Sequence, residues 1–453
     1  SRFYDYARSE YHVNARTSEG FNKTYGIVHP REQWSSNRNV RLSPFYPREK
    51  ELGAVFFETA GWERPQWYES NAGLLDEYGD RVNRREHEWD ARWWSPIINA
   101  EHLAMRDRVA MVDLTAFAQF DVEGPGALDF MQLLAVNQMD VPVGRAVYTP
   151  WLYPNGGFKA DLTIIRLAEN KFRVITGGGD GGRDKQWLRQ HLPADGSVTL
   201  TDLTSGTCTI GLWGPKARAV LASVTEDDVS NGGFPYMTAK TIRIGSISAL
   251  ALRISYVGEL GWEITTQTEH GLKLWDTLWE VGQAHGVVPV GIGVYGGTGR
   301  LEKGYRLMGH ELESHYNPVE AGLARPKVKK EAFIGKEAYL KARADGPAAI
   351  CCTLAVEDHT SASGMKRYMQ GNEPVVTPDG QRIVDSHGRG SYVMSAGAGP
   401  SVGKMLLLTY LPPELAQAGT KLAVEYMNER YPVTVVVAGS RPYFDPDNER
   451  MKA

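Results

Sequence analysis

The sequence predicts an α+β fold rich in antiparallel strands, on three observations. First, 48 glycines and 24 prolines in 453 residues call for many turns, which suits short strands better than a helical bundle. Second, an apolar strand, a Gly-Pro turn and a helix follow one another twice, in F-D-V-E-G-P-G-A-L-D-F (120–130) and T-I-G-L-W-G-P-K-A-R-A-V-L (209–221). This weak repeat points to two related units and not to a doubly wound sheet. Third, from about residue 347 the chain turns to evenly spaced short strands, the pattern of a small antiparallel barrel or sandwich.

The length allows two or three domains with full cores. A formal net charge of −4 leaves no basic footprint for nucleic acid. No run of 18 apolar residues suggests a membrane span, and S-R-F-Y-D-Y-A-R-S-E lacks the layout of a signal peptide. Cys351 and Cys352 are neighbours that would face opposite sides of a strand, and Cys208 stands alone, so free thiols and a cytoplasmic setting are expected. No C-x-x-C is present, so neither a zinc site nor a dithiol motif is indicated.

In order, residues 1–90 read as an irregular, aromatic segment that wraps or connects a larger body. Ile97, Ala100, Leu103, Ala104 and Val109 fall on helical spacing. A strand over 120–122, the Gly124-Pro125-Gly126 turn and a helix over 127–134 follow. Residues 148–167 read as a β-hairpin turned at Pro154-Asn155-Gly156-Gly157. Strands are expected over 171–176, 197–203, 208–212 and 242–254, and helices over 184–192, 216–222 and 271–285. The C-terminal strands are expected over 348–356, 373–377, 390–395, 421–426 and 431–438.

Asp161 sits in the apolar return strand of the hairpin, where an ionised carboxylate is costly unless a partner faces it. The stretch alone leaves open whether it is functional or only a turn-end residue. Gly177, Gly179 and Gly182 match G-x-G-x-x-G after a strand, with Asp202 about 20 residues on, which mimics a dinucleotide site. The helix that follows is short, no further β-α-β units complete a parallel sheet, and Gly291, Gly293 and Gly296 match again. His310 and His315 would lie about 140° apart around a helix and cannot share a metal from one face. Two further clusters, Ser255–Glu263 and Gly299–Arg306, place Glu259 between glycines and offer the Arg300 and Arg306 guanidiniums. Each is read equally as a ligand contact or as an internal ion-pair network.

These clusters occur in one order, G-G-F-K-A-D-L-T, then S-Y-V-G-E-L-G-W-E, then R-L-E-K-G-Y-R, then the barrel. That order resembles the folate-binding T-protein of the glycine cleavage system. It is closer still to the C-terminal folate half of dimethylglycine and sarcosine dehydrogenases and oxidases, through H-P-R-E-Q, S-P-F-Y-P-R-E-K-E-L-G-A-V-F-F-E-T-A-G-W-E-R-P-Q-W-Y-E and T-C-T-I-G-L-W-G-P. The resemblance implies three subdomains in a cloverleaf around tetrahydrofolate, with residues 91–345 binding folate and 346–453 forming the barrel. It implies Asp161 as the catalytic residue and Tyr148, Thr163, Tyr256, Glu259 and Arg300 as folate contacts. Tetrahydrofolate is then the co-substrate of a one-carbon transferase, and no flavin is expected in this chain, since no flavin domain is recognised. A small donor would supply the carbon, either an aryl ether or methylenedioxyphenyl compound acted on directly, or an N-methyl amine oxidised by a separate flavoprotein. The competing readings are a flavin- or NAD-dependent oxidoreductase using the Gly177–Gly182 loop, and a non-catalytic partner subunit of a dehydrogenase.

Overall fold

The computed structural model describes residues 4–453. The segment expected to be irregular carries regular structure. A helix spans Glu10–Lys23, and Ser9 Oγ accepts from the His12 N–H at its start. None of its residues is buried, so it has no apolar stripe for periodicity to reveal. Strands β1 (Ala54–Thr59) and β2 (Trp62–Tyr68) form a hairpin whose two turn residues, Ala60 and Gly61, both have positive φ. The hairpin is tied into the main body, with the Tyr68 N–H donating to Glu101 (2.7 Å) and Asn71 Nδ2 to the Pro289 carbonyl (2.8 Å). The buried helix Ile97–Asp107 ends before Val109, which instead opens strand β3 (Val109–Asp113).

Two units follow, and they repeat. The first runs β4 (Ala118–Glu123), helix Ala127–Leu134, β5 (Ala146–Leu152), β6 (Phe158–Ala168), β7 (Lys171–Thr176), helix Gly181–His191 and β8 (Thr199–Asp202). The second runs β9 (Thr207–Trp213), helix Ala217–Ala222, β10 (Ala239–Ile244), β11 (Ile247–Leu252), β12 (Gly261–Gln267), helix Gly271–Gly282 and β13 (Val287–Pro289). The sheets are ordered β5-β6-β7-β4-β8 and β10-β11-β12-β9-β3-β13, so they correspond strand for strand once β3 is set aside. The single strand expected over 242–254 is the β10–β11 hairpin, turned at Gly245 with φ of 55°. The repeated Gly-Pro turns match in detail. Gly124 and Gly214 have φ of 127° and 135°, and a Cβ on either would lie 2.3 Å from a carbonyl oxygen, of Ser197 or Arg108 respectively. Those carbonyls also accept the N–H two residues further on, Gly126 (3.1 Å) and Lys216 (3.2 Å). The units meet edge to edge through Ala146, Ile165, Ala239 and Leu252, and the Ala239 N–H donates to the Gly144 carbonyl (2.7 Å).

The C-terminal strands are β14 (Ile350–Val356), β15 (Val375–Val376), β16 (Ser395–Gly399), β17 (Lys404–Leu411), β18 (Lys421–Tyr426) and β19 (Glu429–Ala438), ordered β15-β18-β19-β14-β17-β16. The sheet closes into a barrel. Residues leading into β16 pair back onto those leading into β15, with the Val393 N–H on Glu373 (2.8 Å) and the Val375 N–H on Ser391 (3.0 Å). β17 was not among the expected strands, although it lies between β14 and β16 and is buried from Met405 to Leu411. A strand buried on both faces shows no alternation.

Candidate functional site

The β5–β6 hairpin holds Asp161 rigidly. Its turn requires glycine, since Gly156 has φ of 84° and a Cβ on Gly157 would lie 1.8 Å from the Ser314 carbonyl oxygen. Across the pair Tyr148 faces Thr163 and Pro150 faces Asp161. Alternation sends Ala160, Leu162 and Ile164 into the core with Trp151 and Phe120, and leaves Tyr148, Asp161 and Thr163 half-buried on the other face. The Tyr148 hydroxyl donates to Asp161 Oδ2 (3.0 Å). Burial pushes the Asp161 carboxyl up to about 7, against the Tyr148 hydrogen bond and with help from the Asp180 and Asp184 carboxylates. A carboxyl that changes charge near neutral pH suits proton transfer.

Tyr256 lies in the loop after β11, and its hydroxyl donates to the Arg306 carbonyl (2.6 Å). Burial raises that hydroxyl, and Asp161 adds to the effect, which sets the two residues within electrostatic reach. Its ring is 5.2 Å from that of Tyr295, which packs in turn against Trp213 (5.4 Å) and Phe117 (5.8 Å). Tyr295 comes from a π-helix, Gly293–Gly299, a local form often found at functional sites. Its hydroxyl acts on Glu263 on β12, whose carboxyl burial pushes up to about 7 against the lowering effect of Tyr295.

Glu259 and Arg300, expected on the folate, are committed to protein partners instead. Glu259 accepts from Arg106 Nη1 (2.8 Å) and Arg450 Nε (2.6 Å) and is 1% exposed. The same network contains His102 and Glu302 (3.0 Å) and Arg106 and Glu302 (3.0 Å). Burial opposes charge on Glu302, but His102 and Arg106 hold its carboxyl down to about 2. Arg300 donates to the Gly296 carbonyl (2.8 Å), the Tyr305 carbonyl (3.0 Å), Glu311 (3.2 Å) and Ser395 (2.7 Å). Arg306 likewise serves the Ala321, Gly304 and Gly439 carbonyls. The carboxyl that does face the tyrosine cluster is Glu263, which the sequence reading passed over. The signal was there: Trp262 is a core residue, so the next residue on the strand points to the opposite face.

The glycine loop is not a dinucleotide cradle. β7 runs antiparallel to both β6 and β4, so no β-α-β unit surrounds it. A Cβ on Gly178 would lie 2.3 Å from the Ala116 carbonyl oxygen, and one on Gly181 would lie 2.4 Å from Ala118 Cβ. The helix N-terminus is already served, with the Gly182 N–H donating to the Tyr4 hydroxyl (3.2 Å). Asp184 in its first turn accepts from Lys159 (2.9 Å) and Thr176 (2.7 Å). His310 bonds the Met394 carbonyl (3.0 Å), while His315 packs on Tyr316.

Residues 45–330 match the GCVT N-terminal domain, and residues 363–445 the glycine cleavage T-protein C-terminal barrel domain. The chain belongs to the glycine cleavage T-protein family. Residues 1–43 match the central domain of FAD-dependent oxidoreductases. The chain is 31% identical over its whole length to 4-methylaminobutanoate oxidase (formaldehyde-forming) of Paenarthrobacter nicotinovorans, covering 52% of that protein. Against human mitochondrial dimethylglycine dehydrogenase, identity is 31% over 94% of this chain and 46% of the relative. It thus spans about half of these relatives. An aminomethyltransferase of Koribacter versatilis is 30% identical, over 90% of this chain and 97% of the relative. The aminomethyltransferase T structure from Bartonella henselae superposes with a TM-score of 0.72 at 24% identity, over 90% of this chain and 99% of that one. The fold is therefore of the T-protein type, two α+β units and a barrel. No helix among the described residues is long and apolar enough to cross a membrane.

Proposed function

We propose that this family member is a tetrahydrofolate-dependent one-carbon transferase, with Asp161 as its proton-handling and charge-stabilising residue. The observation that carries the reading is the half-buried Asp161 carboxyl, poised near pH 7 on a rigid strand and bonded by Tyr148. Tyr148, Thr163 and Tyr256 would line the pterin. Glu263, in place of Glu259, would accept from the ring amino and N–H groups.

The chemistry asks for such a carboxylate. Formaldehyde condensing with the N5–H and N10–H of tetrahydrofolate forms two C–N bonds and releases one water, through a cationic N5 iminium. Asp161 would stabilise that cation and accept the proton leaving N10 as the ring closes. The matched relatives named for N-methylated amines favour an amine-derived carbon produced by a flavoprotein portion or partner. An aryl ether or methylenedioxyphenyl donor is the other route.

The test is incubation with tetrahydrofolate and a panel of formaldehyde, N-methyl amines, aryl methyl ethers and methylenedioxyphenyl compounds. Formation of 5,10-methylene- or 5-methyl-tetrahydrofolate is expected, and its absence with every donor would overturn the reading. Assembly on a dehydrogenase without folate turnover would favour a non-catalytic partner.

A further inference from the structure

We propose that the cavity between residues 83–94 and the C-terminal barrel, beside Arg85, is a binding site for a short aliphatic carboxylate. It shares no lining residue with the candidate folate site, so it stands apart from the folate reading.

The cavity holds about 130 Å³. A drug-sized molecule takes roughly 300–1,000 Å³, so this space suits a ligand of a few heavy atoms. Asn83, Arg85 and Trp94 form one wall, and the barrel forms the other, at the end of β14 and on the β16–β17 hairpin. The two walls are fastened together. The Tyr368 hydroxyl donates to the Arg84 carbonyl (2.9 Å), and Trp89 Nε1 donates to the Tyr426 hydroxyl (3.2 Å). The junction is therefore bonded structure and not a loose gap.

Arg85 is the group in this cavity without a counter-charge. Its guanidinium lies over the Trp94 ring (4.4 Å) and the Tyr368 ring (4.7 Å), which hold it in place. Its one hydrogen bond among the described residues runs from Nη1 to the Asp90 carbonyl (3.0 Å), and no carboxylate there pairs with it. Nε is buried and bonded to nothing, and Nη2 has no acceptor among those residues either. Burial and Arg31 both disfavour its charge, while Asp90 opposes them only through space. A guanidinium does not shed its proton to escape that cost, so an anion entering the cavity would relieve it.

The other charges and the apolar wall indicate which anion fits. Lys404 already faces Glu357 (3.6 Å). His359 is neutral at pH 7, because burial, helped by Lys366 and Arg85, lowers its imidazole against the bond that Nδ1 donates to the Arg367 carbonyl (2.8 Å). One uncompensated positive charge remains. It suits a monoanion better than a phosphate group, which carries about −1.5 to −2 at pH 7. Val356, Ala398 and Met405 also line the space, and a short alkyl tail would cover them where a bare inorganic ion would not.

The experiment is saturation-transfer NMR of the full chain with butanoate, titrated at constant ionic strength with and without tetrahydrofolate. Millimolar binding is expected, and tetrahydrofolate should leave it unchanged. The n-butylammonium ion, with the same tail and the opposite charge, should give no signal, and inorganic phosphate should compete only weakly. Arg85→Met should weaken butanoate by about tenfold or more. Ala398→Leu, which fills the cavity and keeps Arg85, should do the same, and serves as the test if the Arg85 variant does not fold. Absence of butanoate binding, or equal affinity in wild type and both variants, would overturn the proposal. Displacement by tetrahydrofolate would overturn it by putting butanoate elsewhere, and tighter binding of phosphate would overturn the choice of a carboxylate.

Discussion

The two α+β units share one frame and use it differently. Their helices, sheet order and Gly-Pro turns correspond, yet β6 and β7 are joined by residues 169–170 alone, while residues 253–260 join β11 and β12. The first unit places its candidate chemistry on a strand, where Asp161 and Tyr148 are fixed by the pleat. The second grows a loop that carries Tyr256 and Glu259, and sets Glu263 just beyond it on β12. The difference teaches that the repeated turns are scaffold, whereas the candidate site residues sit on a hairpin face and at a lengthened loop. It also separates two acids four residues apart, one built into an ion-pair network and one facing an aromatic cluster.

The sharpest way to break this comparison is at Asp161. Asp161→Asn should lower turnover by roughly 10²–10⁴-fold and leave tetrahydrofolate affinity within about threefold, by steady-state kinetics and calorimetry. Near-normal turnover would return the hairpin to pure scaffold. Glu259→Ala comes next, because it removes one of the two carboxylates that neutralise the buried Arg106 and leaves Arg450 without its carboxylate partner. It should cost about 3–5 kcal/mol of stability in denaturant titrations. Glu263→Gln should do the reverse, weakening folate by about ten- to a hundredfold while leaving stability intact or higher. If the two variants behaved alike, the distinction between network acid and ligand acid would fail.

Two smaller effects test the frame itself. Asp161 has its carboxyl raised in the folded state, so that state holds its proton more tightly, and stability falls as pH rises from about 4 to about 7 and is level above that. Asp161→Asn removes this loss, so the variant should be more stable than wild type by about 2 kcal/mol at pH 8, with no gain at pH 3.5. The same titration predicts that wild-type kcat/KM rises with pH to a plateau above about 7, a step the variant should lack. Gly124→Ala and Gly214→Ala should each destabilise by about 2 kcal/mol and by similar amounts, since both meet a carbonyl oxygen at 2.3 Å. Unequal costs would show that the turns are less equivalent than their geometry.

Much of the fold was legible because its signals are local. Glycine-demanding turns, the hairpin around Gly156-Gly157 and the helix Ala127–Leu134 each announce themselves within a dozen residues, and the structure places them where the sequence does. The misses have local causes too. The helix Glu10–Lys23 has no buried face, β17 has no polar alternation, and the helical period across 97–109 hid the change to a strand at Val109.

The site was legible only in part. Sequence by itself determined the α+β class, the repeat and the barrel, and through resemblance it named Asp161, Tyr148, Thr163 and Tyr256 as candidates. Only the tertiary structure showed that Glu259 and Arg300 are bonded to protein partners and that Glu263 faces the tyrosine cluster. The reason is that a side chain's role depends on which charges reach it, and those partners are distant in the chain. Arg450 lies 191 residues from the Glu259 it neutralises, and no local pattern records that pairing.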